Sequence, residues 1–502
     1  MSYAQLEATF RRIGHLDHAV AMLEWDEAVM MPAAAGPDRA DAVATLYGIR
    51  HQHYTQPELS DWFAAAEEEA RAGSLSASQT ANLREMHRSW RRIAALPQDL
   101  VEASKKAESA SEQAWRSLRA QNDWASFRPK LEAVVALKKE VAAVLGQALS
   151  LSPYDALIDG FEPGMRCARI DGLFADLGTF LPAFTEAVLA KQSREPVIRP
   201  EGPFPVDAQR ALGTRLMEAV GFDLAHGRLD TSHHPFCGGV PTDVRITTRY
   251  DETDFTTSMM GVLHEAGHAK YEQGLPHAWS AQPAGAARGM AMHESQSLLQ
   301  EMQISRGLPF LRFATPLMRA CLGPAVARQP EAYTPENMHR LATRVRRGYI
   351  RVDADEVTYP CHVILRYEIE RQLFEGQLAV ADIPGMWNER MMALLGLSTL
   401  GQDKNGCMQD VHWPAGLFGY FPSYTLGALT AAQLFAAARA ALPSLDDDLS
   451  LGNFVPLNAW LREQVWSKAS LFTGDEILQA ATGQSLSAEP FKAHLRRRYL
   501  DS

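Results

Sequence analysis

Apolar residues recur every three or four positions over most of the first two hundred residues, the period of helices with one face turned inward. On that pattern the stretches from Asp38 to Ala72, Leu100 to Gln121 and Trp124 to Leu149 are predicted helical. The charged AAAEEEARA tail of the first reads as a solvated helix face. Proline and glycine mark the breaks, at Pro97, Pro153, Pro163 and in PVIRPEGPFP from Pro196 to Pro205. That last segment is the best candidate boundary. The chain of 502 residues is then either two lobes, about 1–200 and about 201–502, or one continuous domain with a long surface loop. The pattern changes between about Thr231 and Tyr250, where DVRITTRY (Asp243 to Tyr250) alternates and is rich in β-branched residues, predicting a strand. Helical spacing then resumes, with Gly274 and Gly307 as stops. The expected class is mostly α, with a small β-sheet near the middle.

Composition narrows the partners. The hydrophobic share of 46% and charged share of 22% are those of an ordinary globular protein. Lys and Arg total 49 against 60 Asp and Glu, and this net charge of -11 argues against a nucleic-acid partner. Five widely spaced cysteines without a CxxC pair predict neither a disulfide framework nor a cysteine metal cage. They fit a reducing cytoplasm. The N-terminal stretch carries charges where a signal peptide is apolar, and no later run reads as long and apolar enough to span a bilayer. No membrane partner is expected.

The chemistry concentrates in MMGVLHEAGHAKYEQG. His264 and His268 are four residues apart, so on a helix both imidazoles share a face and can converge on one ion. Glu265 is turned about 100° from His264, close enough to hold a water without ligating the ion. A divalent ion such as zinc makes water easier to deprotonate, and a carboxylate there can take the proton during attack on a peptide carbonyl. A third protein ligand is needed. Six residues after His268 stands Gly274, and Glu272 is about 12 Å along the helix from His264. A second predicted helix, GAARGMAMHESQSLLQEMQISRG, offers Glu294 and, as the alternative, Glu301; spacing alone gives Glu294 only a modest edge.

HEAGH followed by HESQ at His293 to Gln296 resembles the carboxypeptidase Taq family of metallocarboxypeptidases. DVRITTRY, IRVDADEVTY (Ile350 to Tyr359) and GCMQDVHW (Gly406 to Trp413) agree, with weaker echoes at Trp25 to Pro32, Tyr154 to Met165 and Ala481 to Leu486. The resemblance therefore runs over nearly the whole chain. It implies a large helical peptidase with a deep central groove, like neurolysin and angiotensin-converting enzyme. It also implies His264, His268 and Glu294 as ligands of one divalent metal, zinc or cobalt, and Glu265 as general base. Carboxypeptidase activity of broad specificity on peptides, and a homodimer, are the further implications.

Roles follow for the remaining blocks. Polarising the scissile carbonyl needs donors beyond the metal. His412 with Tyr424, or with Tyr420 in reserve, suits that task, since related groove peptidases use a His and Tyr pair. A terminal carboxylate suits the fork of an arginine, Arg351 first and Arg245 second. The plainer reading of both is a structural ion pair, Arg245 with Asp243, or Arg351 with Asp353 or Asp355. Asp355 and Glu356 are candidates to orient a ligand histidine. Trp466 and Ala469 stand where the family pattern has a histidine and, nearby, a glycine, on what reads as a peripheral helix. The competing functions are an oligopeptidase or dipeptidyl carboxypeptidase using the same groove, and a peptide-binding scaffold with a dead site.

Overall fold

Helical spacing becomes helices close to where it predicts them. The computed structural model describes residues 2–501. Helices run over Gly36–Tyr54 and Leu59–Arg71, then Gln98–Gln121 and Trp124–Leu149. Asn122 ends the third in the left-handed region, and the Asp123 carboxylate opens the fourth by accepting from the Ser126 amide. PVIRPEGPFP is non-helical chain between helices Cys167–Gln192 and Val206–Ala219.

The sheet has three strands in the order β1 (Gly227–Thr231), β3 (Asp243–Thr248), β2 (Cys237–Val240). β1 runs parallel to β3 with Leu229 opposite Ile246, and β2 runs antiparallel to it with Gly238 opposite Arg245. β3 stops at Thr248, two residues before the predicted end. Its Val244 and Ile246 are fully buried.

Two large apolar cores hold the chain. One joins the helices of 127–188 to Ile364, Trp387, Trp413 and Phe421; the other joins the sheet to Leu263, Phe310, Leu434 and Leu457. A small third core packs Leu6 and Phe10 against Phe63 and Met86. Two helices belong to both large cores. Gly289–Leu298, here the HESQ helix, gives Ala291 to the first and Met292 to the second, and Pro422–Ala441 gives Leu426 and Leu434. The seam between the cores thus follows these helices, and the first core draws on residues from both sides of Pro196–Pro205.

One expectation is corrected. Among the described residues one helix, Cys167–Gln192, is long and apolar enough to cross a membrane. Its Ile170, Phe174, Leu177 and Leu181 are core residues, which explains the apolarity without a bilayer.

Glycines allow close helix contacts at the HESQ helix. A Cβ on Gly267 of Phe255–Gly274, the HEAGH helix, would lie 2.5 Å from the Gln296 carbonyl oxygen and 2.6 Å from Ser297 Cα. On a second neighbour, Pro422–Ala441, a Cβ on Gly427 would lie 2.9 Å from Glu294 Cβ and Cγ. The HESQ helix is clamped between two glycine contacts, one on each neighbour.

Candidate active site

The HEAGH helix opens where the Asp254 carboxylate accepts from the Thr256 amide at 2.8 Å, and it is buried around most of its circumference. His264 and His268 project from it towards Glu294 on the HESQ helix. Ligand atoms of these three residues lie within 4.8 Å of one another, the only such metal-holding group among the described residues. His268 Nε2 is 3.4 Å from Glu294 Oε2. His264 Nδ1 meets Glu301 Oε2 at 2.9 Å, and His268 Nδ1 meets His293 Nδ1 at 2.6 Å. Both Nδ1 atoms are therefore engaged outward, leaving both Nε2 atoms for an ion. Two imidazoles and one carboxylate are a donor set suited to a catalytic divalent metal.

Glu301, left open as a third ligand by spacing, has a different position. The HESQ helix passes into a π-helical turn over Leu299–Ser305, which changes the register so that Glu301 reaches the back of His264. Arg306 holds its other oxygen at 2.6 Å. Asp355 and Glu356 do not orient a ligand histidine. Asp355 accepts backbone amides of Arg346, Val357 and Thr358, whereas Glu356 meets His494, Arg498 and Tyr499. Spacing could not show this, because the C-terminal helix Glu489–Tyr499 comes from far along the chain.

Burial pushes the Glu265 carboxyl up to about 7, with the His264 field opposing and the Glu294 field assisting. Burial also depresses His268, to about 4, with His293 adding to the effect. Burial opposes charge on His264 as well, but its bond to Glu301 and the surrounding carboxylates outweigh that and raise it. A bound dication would favour neutral imidazoles and an ionised Glu265.

These groups line a cavity of about 600 Å³ whose walls include Cys237, Arg351, Tyr359, Tyr420 and Tyr424. A second cavity of about 750 Å³ shares His264, Glu301 and Val352 with it, so the groove continues past the metal-binding group. Tyr424 OH is 3.1 Å from His412 Nε2, and the rings of Tyr420 and Tyr424 meet edge-on at 5.3 Å. The tyrosines form the wall; His412 stands behind Tyr424. Burial holds His412 down to about 4 and Tyr424 well above its ordinary value, so the phenol keeps its proton.

Arg351 reaches the same wall. Its Nε and Nη2 donate to Asp410 Oδ1 at 3.1 and 2.9 Å, and Nη1 donates to Tyr359 OH at 2.5 Å. Arg366 donates to the other oxygen of Asp410 at 2.8 Å. Two guanidiniums thus share one carboxylate, leaving surplus positive charge beside the cavity. The partner is Asp410 of QDVHW, not Asp353 or Asp355. Arg245 is placed elsewhere: it forks onto Asp243 at 2.9 and 2.6 Å and lies over the Trp25 ring, off the cavity wall.

The C-terminal departure is less peripheral than it reads. Trp466 is buried, donates to Gln296 of HESQ at 2.9 Å, and packs where a Cβ on Gly274 would meet its ring at 2.7 Å.

The sequence model of the carboxypeptidase Taq (M32) metallopeptidases matches residues 5–499. The chain belongs to the M32 family of metallocarboxypeptidases. Thermostable carboxypeptidase 1 of Thermus thermophilus is 38% identical, covering 99% of this chain and 98% of that protein. Carboxypeptidase 1 of Bacillus subtilis is 33% identical over 97% of this chain and 96% of its own length. Among solved structures, metallocarboxypeptidase 1 of Trypanosoma cruzi superposes with a TM-score of 0.97 at 43% identity, covering 100% of this chain and 99% of that one. This M32 peptidase therefore has a helical carboxypeptidase fold, and a divalent metal and peptide substrates follow from the family.

Proposed function

We propose that this peptidase removes single residues from free peptide C-termini with broad specificity, using one ion, zinc or alternatively cobalt, held by His264, His268 and Glu294. The observation that carries the reading is the convergence of these donors, Glu265, Tyr424 and Arg351 on one cavity. When bound, the metal supplies Lewis acidity for the carbonyl and for water. Glu265 takes the proton of the attacking water and passes it to the leaving amine. Tyr424 donates its phenol proton towards the carbonyl oxygen as negative charge develops there, and His412 fixes the direction of that donor. Arg351 takes the terminal carboxylate: it is rigidly held, and the charge it shares with Arg366 exceeds that of Asp410. Arg245, off the cavity wall, is the weaker candidate for that role.

A homodimer and a cytoplasmic setting complete the proposal; the family resemblance supports the first, and five free cysteines are compatible with the second. The groove beyond the metal-binding group gives an internal-cutting activity its room. Amidating the C-terminus of a test peptide separates the readings. Loss of cleavage is the expected result, whereas undiminished cleavage would make the enzyme an oligopeptidase.

A further inference from the structure

His268 is the one ligand histidine with no carboxylate at its Nδ1. Its neighbour there is His293, whose Nε2 lies 2.8 Å from Glu272 Oε1. Glu272 is four residues after His268 on the same helix, and His293 precedes Glu294 on the HESQ helix. The three side chains form a closed bridge between the two helices that supply the metal ligands.

Proton placement in this chain is restricted. Only one proton can lie between two nitrogens 2.6 Å apart. If His293 donated it, neutral His268 would carry its proton on Nε2 and could not ligate. The unprotonated Nε2 of a neutral His293 would then face the Glu272 carboxylate, lone pair against lone pair. If His268 donates, its Nε2 is free for the ion, His293 accepts at Nδ1, and its Nε2–H points at Glu272. Only this arrangement satisfies both ends.

We propose that His293 and Glu272 are positioning residues that hold His268 in its metal-binding tautomer and ring orientation, and so set metal affinity. The inference rests on the ligand assignment proposed above. It adds an asymmetry: His264 is held directly by a carboxylate, His268 through an intervening imidazole. The side chains of His293 and Glu272 are 18% and 24% exposed, so water screens the outer carboxylate and its removal costs less than removal of His293. Loss of such an outer partner weakens metal binding roughly 10–100-fold.

The test is zinc affinity by competitive chelator titration, with the visible spectrum of the cobalt-loaded protein, on the full chain. His293→Phe is expected to bind roughly 10–100-fold more weakly with an altered cobalt band. His293→Gln, whose amide can accept from His268 and donate to Glu272, is expected to recover part of that loss. Glu272→Ala should weaken binding in the same direction by less. His293→Phe binding within twofold of the parent, or His293→Gln no better than His293→Phe, would overturn the relay. Should His293→Phe fail to fold, Glu272→Ala against Glu272→Gln decides: weaker binding by the alanine variant is expected, and both matching the parent refutes the idea. A parent protein that bound no zinc would instead bring down the ligand assignment beneath it.

Discussion

Replacing Gly267 with alanine sets two opposing effects against each other. Gly267 is interior to a twenty-residue helix, where alanine is favoured over glycine by about 1 kcal/mol. Against this, the new Cβ would sit 2.5 Å from the Gln296 carbonyl oxygen and 2.6 Å from Ser297 Cα, about 1 Å inside ordinary contact. Overpacking of this kind costs about 1–3 kcal/mol. The opposing atoms are backbone, so no side-chain rotation relieves the overlap. The HESQ helix is also in close contact with a second helix, at Gly427 against Glu294, which limits how it can shift. Backbone opposition places the overlap towards the upper end of that range, so it outweighs propensity by up to about 2 kcal/mol. Unfolding entropy grows with length, and in a chain of 502 residues each kcal/mol moves the melting temperature by only about 1 °C. Metal affinity is the sharper assay, since Glu294 lies two residues before Gln296 and must shift with it. We expect Gly267→Ala to bind zinc at least about tenfold more weakly, equivalent to roughly 1.4 kcal/mol. A variant that melts higher than the parent and binds zinc as tightly would refute the clamp.

Other consequences are independent of that contact. Burial pushes the Glu162 carboxyl up to about 7, against its bond from the Ala291 amide and the field of Arg288. Its protonation therefore favours the folded state below about pH 4.5, and that contribution fades as pH rises through 7. Glu162→Gln should gain stability relative to the parent over that window, on the order of 3 kcal/mol, in denaturant titrations at pH 5 and 8. A pH-independent difference would contradict the assignment. Tyr424→Phe should lower kcat roughly 10²–10³-fold with little change in KM in steady-state assays, and a kcat within threefold would remove Tyr424 from the reaction. Ala469 has φ +45° and ψ −141°, a conformation at ease only for glycine, so Ala469→Gly should stabilise by about 1 kcal/mol in denaturant titration. A destabilised variant would contradict that reading.

Much of this was legible because local chemistry dictates it. Helical spacing marked Trp124–Leu149 to the residue, and the four-residue interval of His264 and His268 placed both imidazoles on one face. Less legible were contacts made by distant segments or by departures from regular geometry. Glu301 reaches His264 only through a π turn, which no apolar period announces. Asp410 was inside a block already noted, yet its pairing with Arg351 needed the fold to bring residues 351 and 410 together. Glu272, too far along the helix to share an ion with both histidines, faces His293 instead. The close approach at the glycine of HEAGH shows only once the HESQ helix is packed against it.

Metal-dependent removal of single C-terminal residues with Glu265 as base can be read directly from the products. The most direct test is digestion of a free-acid peptide followed by mass spectrometry, with and without chelator, beside Glu265→Gln. A ladder of single-residue losses that vanishes with chelator, returns with zinc or cobalt, and is absent in Glu265→Gln is expected. Internal cuts, or a ladder that persists in Glu265→Gln, would contradict it.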